Sequence, residues 1–154
     1  MSILQDWFNE AKKANVTIFG SGENEFIIYK GFKLSKSSNL FKLEDVRRSD
    51  FYDDVKDKEY KTILKLGFIK GIDWIVNKRN LKRIGIYTRI LERLYSEKKE
   101  YKSKLRPKIT RAFYQKKLKN CQESIYRNID LLFLYKTRIE QYNLKYNLNE
   151  KIKN

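Results

Sequence analysis

The chain has 154 residues, a hydrophobic fraction of 41%, a charged fraction of 35% and a net charge of +16. That length predicts one continuous structural unit with a moderate core, and a charge excess this large attracts polyanions: DNA, RNA, anionic lipid or an acidic protein face. One cysteine and no histidine leave no internal disulfide, no four-ligand Cys/His zinc site and none of the His-dependent nucleophile–base pairs.

The opening MSILQDWFNE has no basic segment followed by an apolar one, so no signal peptide is predicted. Ser2 and Gln5 fit a capping box, and Ile3, Leu4, Trp7, Phe8 and Ala11 fall on one helical face, with Asn15 as the stop. This predicts an amphipathic helix that docks on its own domain or on a neighbouring subunit. In Val16–Leu34, VTIF and FIIYKGFKL flank GSGENE, which predicts a β-hairpin with GSGENE as its turn. Those glycines do not form a phosphate loop, because Glu25 replaces the third glycine and a strand follows.

Ser35–Asn39 reads as a polar loop, LFKLEDV as a short ordered segment, and Arg47–Glu59 as a charged loop with Ser49, Asp50 and Asp53 as helix N-cap candidates. The pattern is helical from about Asp54 to Leu105. Gly67 and Gly71 share a face where another backbone can approach, and Asn77–Asn80 marks a break or kink. Leu81, Ile84, Tyr87, Leu91, Leu94, Lys98, Tyr101 and Leu105 follow at alternating spacings of three and four. Pro107, the only proline, ends that helix or opens the next. A last helix, about Ile109–Tyr146, carries the stripe Tyr114, Leu118, Cys121, Ile125, Ile129, Leu132, Lys136, Ile139, Tyr142 and Tyr146, and NLNEKIKN is a polar tail. The most apolar run, Ile63–Val76, contains Lys65, Lys70 and Asp73 and is too short for a membrane span.

The expected fold is therefore α+β and mostly α. An N-terminal helix and β-hairpin occupy residues 1–50. A helical region with a long antiparallel hairpin occupies 51–154.

The charge is unevenly placed. Residues 1–60 hold ten basic and eleven acidic side chains, whereas residues 77–120 hold sixteen basic and three acidic. The densest stretch, KKEYKSKLRPKITRAFYQKKLK, contains Lys98, Lys99, Lys102, Lys104, Arg106, Lys108, Arg111, Lys116, Lys117 and Lys119. At the turn of a helical hairpin these ten form a candidate polyanion-binding surface, with salt-dependent and sequence-tolerant phosphate contacts. Arg106 and Arg111 add bidentate phosphate contacts, and Tyr101 and Tyr114 either stack on bases or pack across the hairpin, with packing expected for Tyr114, which lies on the apolar stripe. Lys98, Lys102, Arg106 and Arg111 lie mainly off the apolar stripes, so replacing them is expected to leave the fold intact. The opposing reading is a solvated tip.

No enzyme is expected. Cys121 lies on an apolar stripe and reads as a buried hydrophobe. Asp50, Asp53, Asp54, Asp57 and Glu59 crowd one charged stretch rather than converging from a sheet. No cofactor, metal or small-molecule substrate is implied.

In composition and layout the chain resembles small accessory structural proteins of tailed-bacteriophage particles. The residues that carry this are the strand pair VTIF…FIIYKGFKL and the Lys- and Tyr-rich helices from Tyr60 to Tyr146. The resemblance transfers no functional residue. It implies a multi-copy component of a capsid, portal or tail, located in the virion or the host cytoplasm, whose basic hairpin meets genome or an acidic protein face. The alternative is a free protein that binds DNA or RNA without sequence preference or acts as a regulator.

Overall fold

The computed structural model describes residues 3–36, 43–46 and 55–147. Its first helix, α1 (Ile3–Lys13), buries Trp7, Phe8 and Ala11, as the apolar spacing predicts. Asn15 ends it in the left-handed region (φ 59°). The Asn15 N–H donates to Lys12 O at 3.1 Å and the Val16 N–H to Ala11 O at 2.9 Å, so two of the helix's last carbonyls find partners. Ser2 of the predicted capping box lies outside the described residues.

Four strands follow: β1 (Ile18–Phe19), β2 (Phe26–Tyr29), β3 (Phe32–Ser35) and β4 (Leu43–Asp45). They form one antiparallel sheet in the order β1-β2-β3-β4. The predicted hairpin across GSGENE is β1–β2, with Phe19 opposite Phe26. Gly20 is required there: at φ 79°, a Cβ would lie 2.5 Å from Asn24 O. FIIYKGFKL, expected to be one strand, is itself a hairpin. Lys30 and Gly31 both have positive φ (47° and 85°), and Tyr29 pairs with Phe32, the arrangement that matches strand twist across a two-residue turn. Ile27, Phe32, Leu34 and Leu43 are buried and Ile28 is exposed, so the sheet has one core face. LFKLEDV thus supplies β4. The predicted N-caps Ser49, Asp50 and Asp53, most of the Ser35–Asn39 loop and the tail beyond Asn147 lie outside the described residues.

The helical half also departs from expectation at one point. The break falls at Gly67, between α2 (Asp57–Leu66) and α3 (Phe68–Ser103), and α3 runs without interruption through Asn77–Asn80. An asparagine inside a helix costs only a few tenths of a kcal/mol, whereas Gly67 at φ 95° cannot continue one. Gly67 closes α2 by donating its N–H to Ile63 O at 2.9 Å. The new start is satisfied from α1: the Glu10 carboxylate accepts the N–H groups of Phe68 (2.9 Å) and Ile69 (3.0 Å), an anion on the positive end of a helix. Gly71 permits a close approach, since a Cβ there would lie 2.9 Å from Ile63 Cα, whereas Gly67 lies between α2 and α3 and is not on the expected shared helix face.

The chain divides into two compact units, Met1–Val76 and Asn77–Asn154. In the first, Trp7, Phe8, Ala11, Ile27, Phe32, Leu34, Leu43, Val55, Ile63, Phe68, Ile72 and Ile75 form one core. Burying each large apolar side chain contributes about 1.5–3 kcal/mol. The exposed backbone of β4 is partly covered, because the Tyr60 hydroxyl accepts the Leu43 N–H at 2.7 Å, which blunts a sheet edge.

In the second unit, α3 from Asn77 onward packs antiparallel to α4 (Lys108–Lys145), and the chain reverses over residues 104–107. Three pairs mark the register: Tyr87 stacks on Tyr135 (5.6 Å between centroids), the Cys121 thiol donates to Leu94 O (3.2 Å), and Tyr101 meets Tyr114 (6.1 Å). Leu91, Leu94, Cys121 and Ile125 form its small core. The overall class is the expected one: a helix and small antiparallel sheet followed by a long helical hairpin. Among the described residues no helix is long and apolar enough to cross a membrane.

Candidate polyanion-binding tip

Pro107 immediately precedes α4 with φ −68° and ψ 126°, an extended geometry that proline favours and that starts a new helix without a lost N–H bond. With α3 ending at Ser103, the ten predicted cations gather at one end of the hairpin. Nine of them are exposed and Lys98 is half-buried.

The ten differ in what they do. Lys104 Nζ lies 2.9 Å from Glu100 Oε1. That hydrogen bond holds the Glu100 carboxyl below its usual range and raises the Lys104 ammonium, so Lys104 is matched locally. It also stands 5.4 Å from the Tyr114 ring centroid. Lys117 Nζ lies 5.6 Å from the Tyr101 centroid and 4.6 Å from that of Phe113. Such contacts are each worth about 0.5–1 kcal/mol at exposed sites, and they hold the ammonium near the surface.

Arg111 carries a role that its residue type did not disclose. Its Nε donates to Leu105 O at 2.9 Å and its Nη2 to Arg106 O at 3.1 Å. The guanidinium bridges the reversal, so of the four substituted positions Arg111 is the one that adds hydrogen bonds to it. Lys99, Lys102, Arg106, Lys108, Lys116 and Lys119 are exposed and form no ion pair among the described residues. These six make up the exposed part of the basic end that is not matched locally.

The aromatic residues divide similarly. Tyr101 and Tyr114 are half-buried against each other, and burial raises the Tyr101 hydroxyl; they pack across the hairpin. Phe113 is exposed and meets Tyr114 edge-on, 5.1 Å between centroids. Cys121 is buried, and desolvation pushes its thiol up, which disfavours the thiolate.

Elsewhere, the Glu59 carboxylate accepts the Lys56 N–H at 3.0 Å and caps α2. Asp50, Asp53 and Asp54 lie outside the described residues. Among the described residues no group of three or more Cys, Asp or Glu side chains could hold a metal ion.

No protein family, curated protein or solved structure matches the chain.

Proposed function

We propose that the protein is a non-enzymatic structural or interaction component of a large assembly, such as a bacteriophage particle, present in several copies. Its helical hairpin would project a basic tip onto packaged genome or onto an acidic face of a capsid, portal or tail protein. The observation that carries this reading is the set of six cations at one end of the hairpin that are exposed and form no ion pair among the described residues. The sheet and α1 would serve attachment, and the virion or host cytoplasm would be its location.

The same cations favour a second reading, a free binder of DNA or RNA without sequence preference. Sedimentation separates the two. An assembly component travels with a particle at fixed copy number and stays bound in moderate salt. A free binder shifts nucleic acid alone, with affinity that falls steeply as salt rises. Absence from every large particle overturns the first reading.

A further inference from the structure

Ile109 and Phe113 stand four residues apart in the first turns of α4 and therefore share a face. Ile109 is 98% exposed and Phe113 57%. Cations surround them: Lys108 and Lys116 are exposed on the same helix, and Lys117 lies against the Phe113 ring. A phosphate backbone makes no use of a bare isoleucine at the head of a helix.

The type of cation matters as well. Eight of the ten are lysines, and of the two arginines Arg111 is engaged with backbone carbonyls. Arginine is enriched in protein interfaces, from which lysine is depleted. Flexible lysine point charges instead suit a diffuse layer of anionic headgroups, and an apolar pair among them suits the acyl boundary just beneath.

We infer that the hairpin tip binds the surface of an anionic lipid bilayer. Ile109 and Phe113 enter the boundary between headgroups and acyl chains, and the surrounding lysines meet the headgroup charges. Association is peripheral and weakens with salt. The inference rests on the apolar pair and its ring of lysines, not on membership of an assembly.

The test sediments the full chain with vesicles of phosphatidylcholine alone, and with vesicles containing roughly a third phosphatidylserine. Duplex DNA is titrated in parallel. The chain is expected on the anionic vesicles only. The double variant Ile109→Ser/Phe113→Ser keeps every cation and alters exposed positions, so its helical circular dichroism is expected to match the parent. Its partition onto anionic vesicles falls on the order of tenfold or more, while DNA binding changes less than about twofold. Failure to bind anionic vesicles overturns the proposal. Unchanged vesicle binding by the double variant also overturns it, because adsorption is then by charge alone. An equal loss on DNA assigns the pair to nucleic acid instead. Should the double variant lose helicity, Phe113→Ser alone is read by the same measurements.

Discussion

Tyr29 donates its hydroxyl to Asp73 Oδ1 over 2.7 Å, joining the end of β2 to the first turns of α3. Lys30 Nζ meets the same oxygen at 2.6 Å, and the Asp73 side chain has no exposure to solvent. A carboxylate that deep in a core must be partnered, and these two partners come from the edge of one tight turn. Tyr29→Phe is expected to cost about 1–3 kcal/mol, read as a lower urea midpoint with unchanged slope. Burial first, and the Asp73 bond second, raise the Tyr29 hydroxyl above its ordinary value of 10.0. Its contribution is therefore fully present below that value and is lost as pH climbs from there toward the higher folded value. The parent should lose stability above about pH 10 faster than Tyr29→Phe does. Equal alkaline slopes would remove the linkage.

Gly71 and Gly85 form a matched pair of tests. A Cβ at Gly71 would lie 2.8 Å from Ile63 Cγ2 and 2.9 Å from Ile63 Cα, whereas one at Gly85 meets nothing nearer than Arg89 Nη2 at 3.8 Å. Gly71→Ala should destabilise by about 1–3 kcal/mol through overpacking. Gly85→Ala should stabilise by about 0.5–1 kcal/mol, because a helix interior favours alanine. Denaturant midpoints that move the same way in both variants would contradict the close approach of α2 to α3.

At the tip, Arg111 separates from its neighbours. Arg111→Gln should lower the thermal midpoint, since it removes two hydrogen bonds to the reversal, each worth about 0.5–1.5 kcal/mol. Lys102→Gln and Lys108→Gln should change stability by less than about 0.5 kcal/mol. If the tip meets phosphates, each lysine change should also reduce the salt dependence of binding by about one unit of slope. Thermal melts and salt titrations read the two effects independently.

Cys121 gives a fourth test. Its thiol is buried, bonded to Leu94 O and pushed up by desolvation. A thiol reagent should modify it slowly in the native chain and rapidly after denaturation. Rapid native labelling would mean that the helices part at this level.

Much of the architecture was legible because one period dominated locally. The stop at Asn15, the close approach at Gly71, the burial of Cys121 and the packing of Tyr114 all follow from spacing and residue type. Three readings failed for physical reasons. Phe26–Leu34 looked like one strand because Lys30–Gly31 lacks the usual Asn-Gly signal, although Lys30 adopts the same left-handed backbone. Asn77–Asn80 suggests a break that the fold instead puts at Gly67, where Glu10 supplies the compensating cap from another helix and only the fold brings it there. The predicted stripe on α4 steps by four twice in succession, from Cys121 to Ile125 to Ile129. That walks off a packed seam, whose repeat is nearer 3.5. In the fold Ile129 is exposed and Tyr135, not Lys136, is buried. The cations of the tip were countable in advance, but their division into paired, structural and free members depended on side-chain reach.

The Glu10 cap has a consequence for the order of folding. The first N–H groups of α3 find their acceptor 58 and 59 residues upstream, so this end of the helix cannot be completed by local contacts. Nucleation of α3 is easier farther along, where short-range bonds suffice, and its first turn closes only after a long loop has been brought together at an entropic cost. The start of α3 is therefore expected to depend on docked α1, and removing α1 should fray α3 from Phe68 forward.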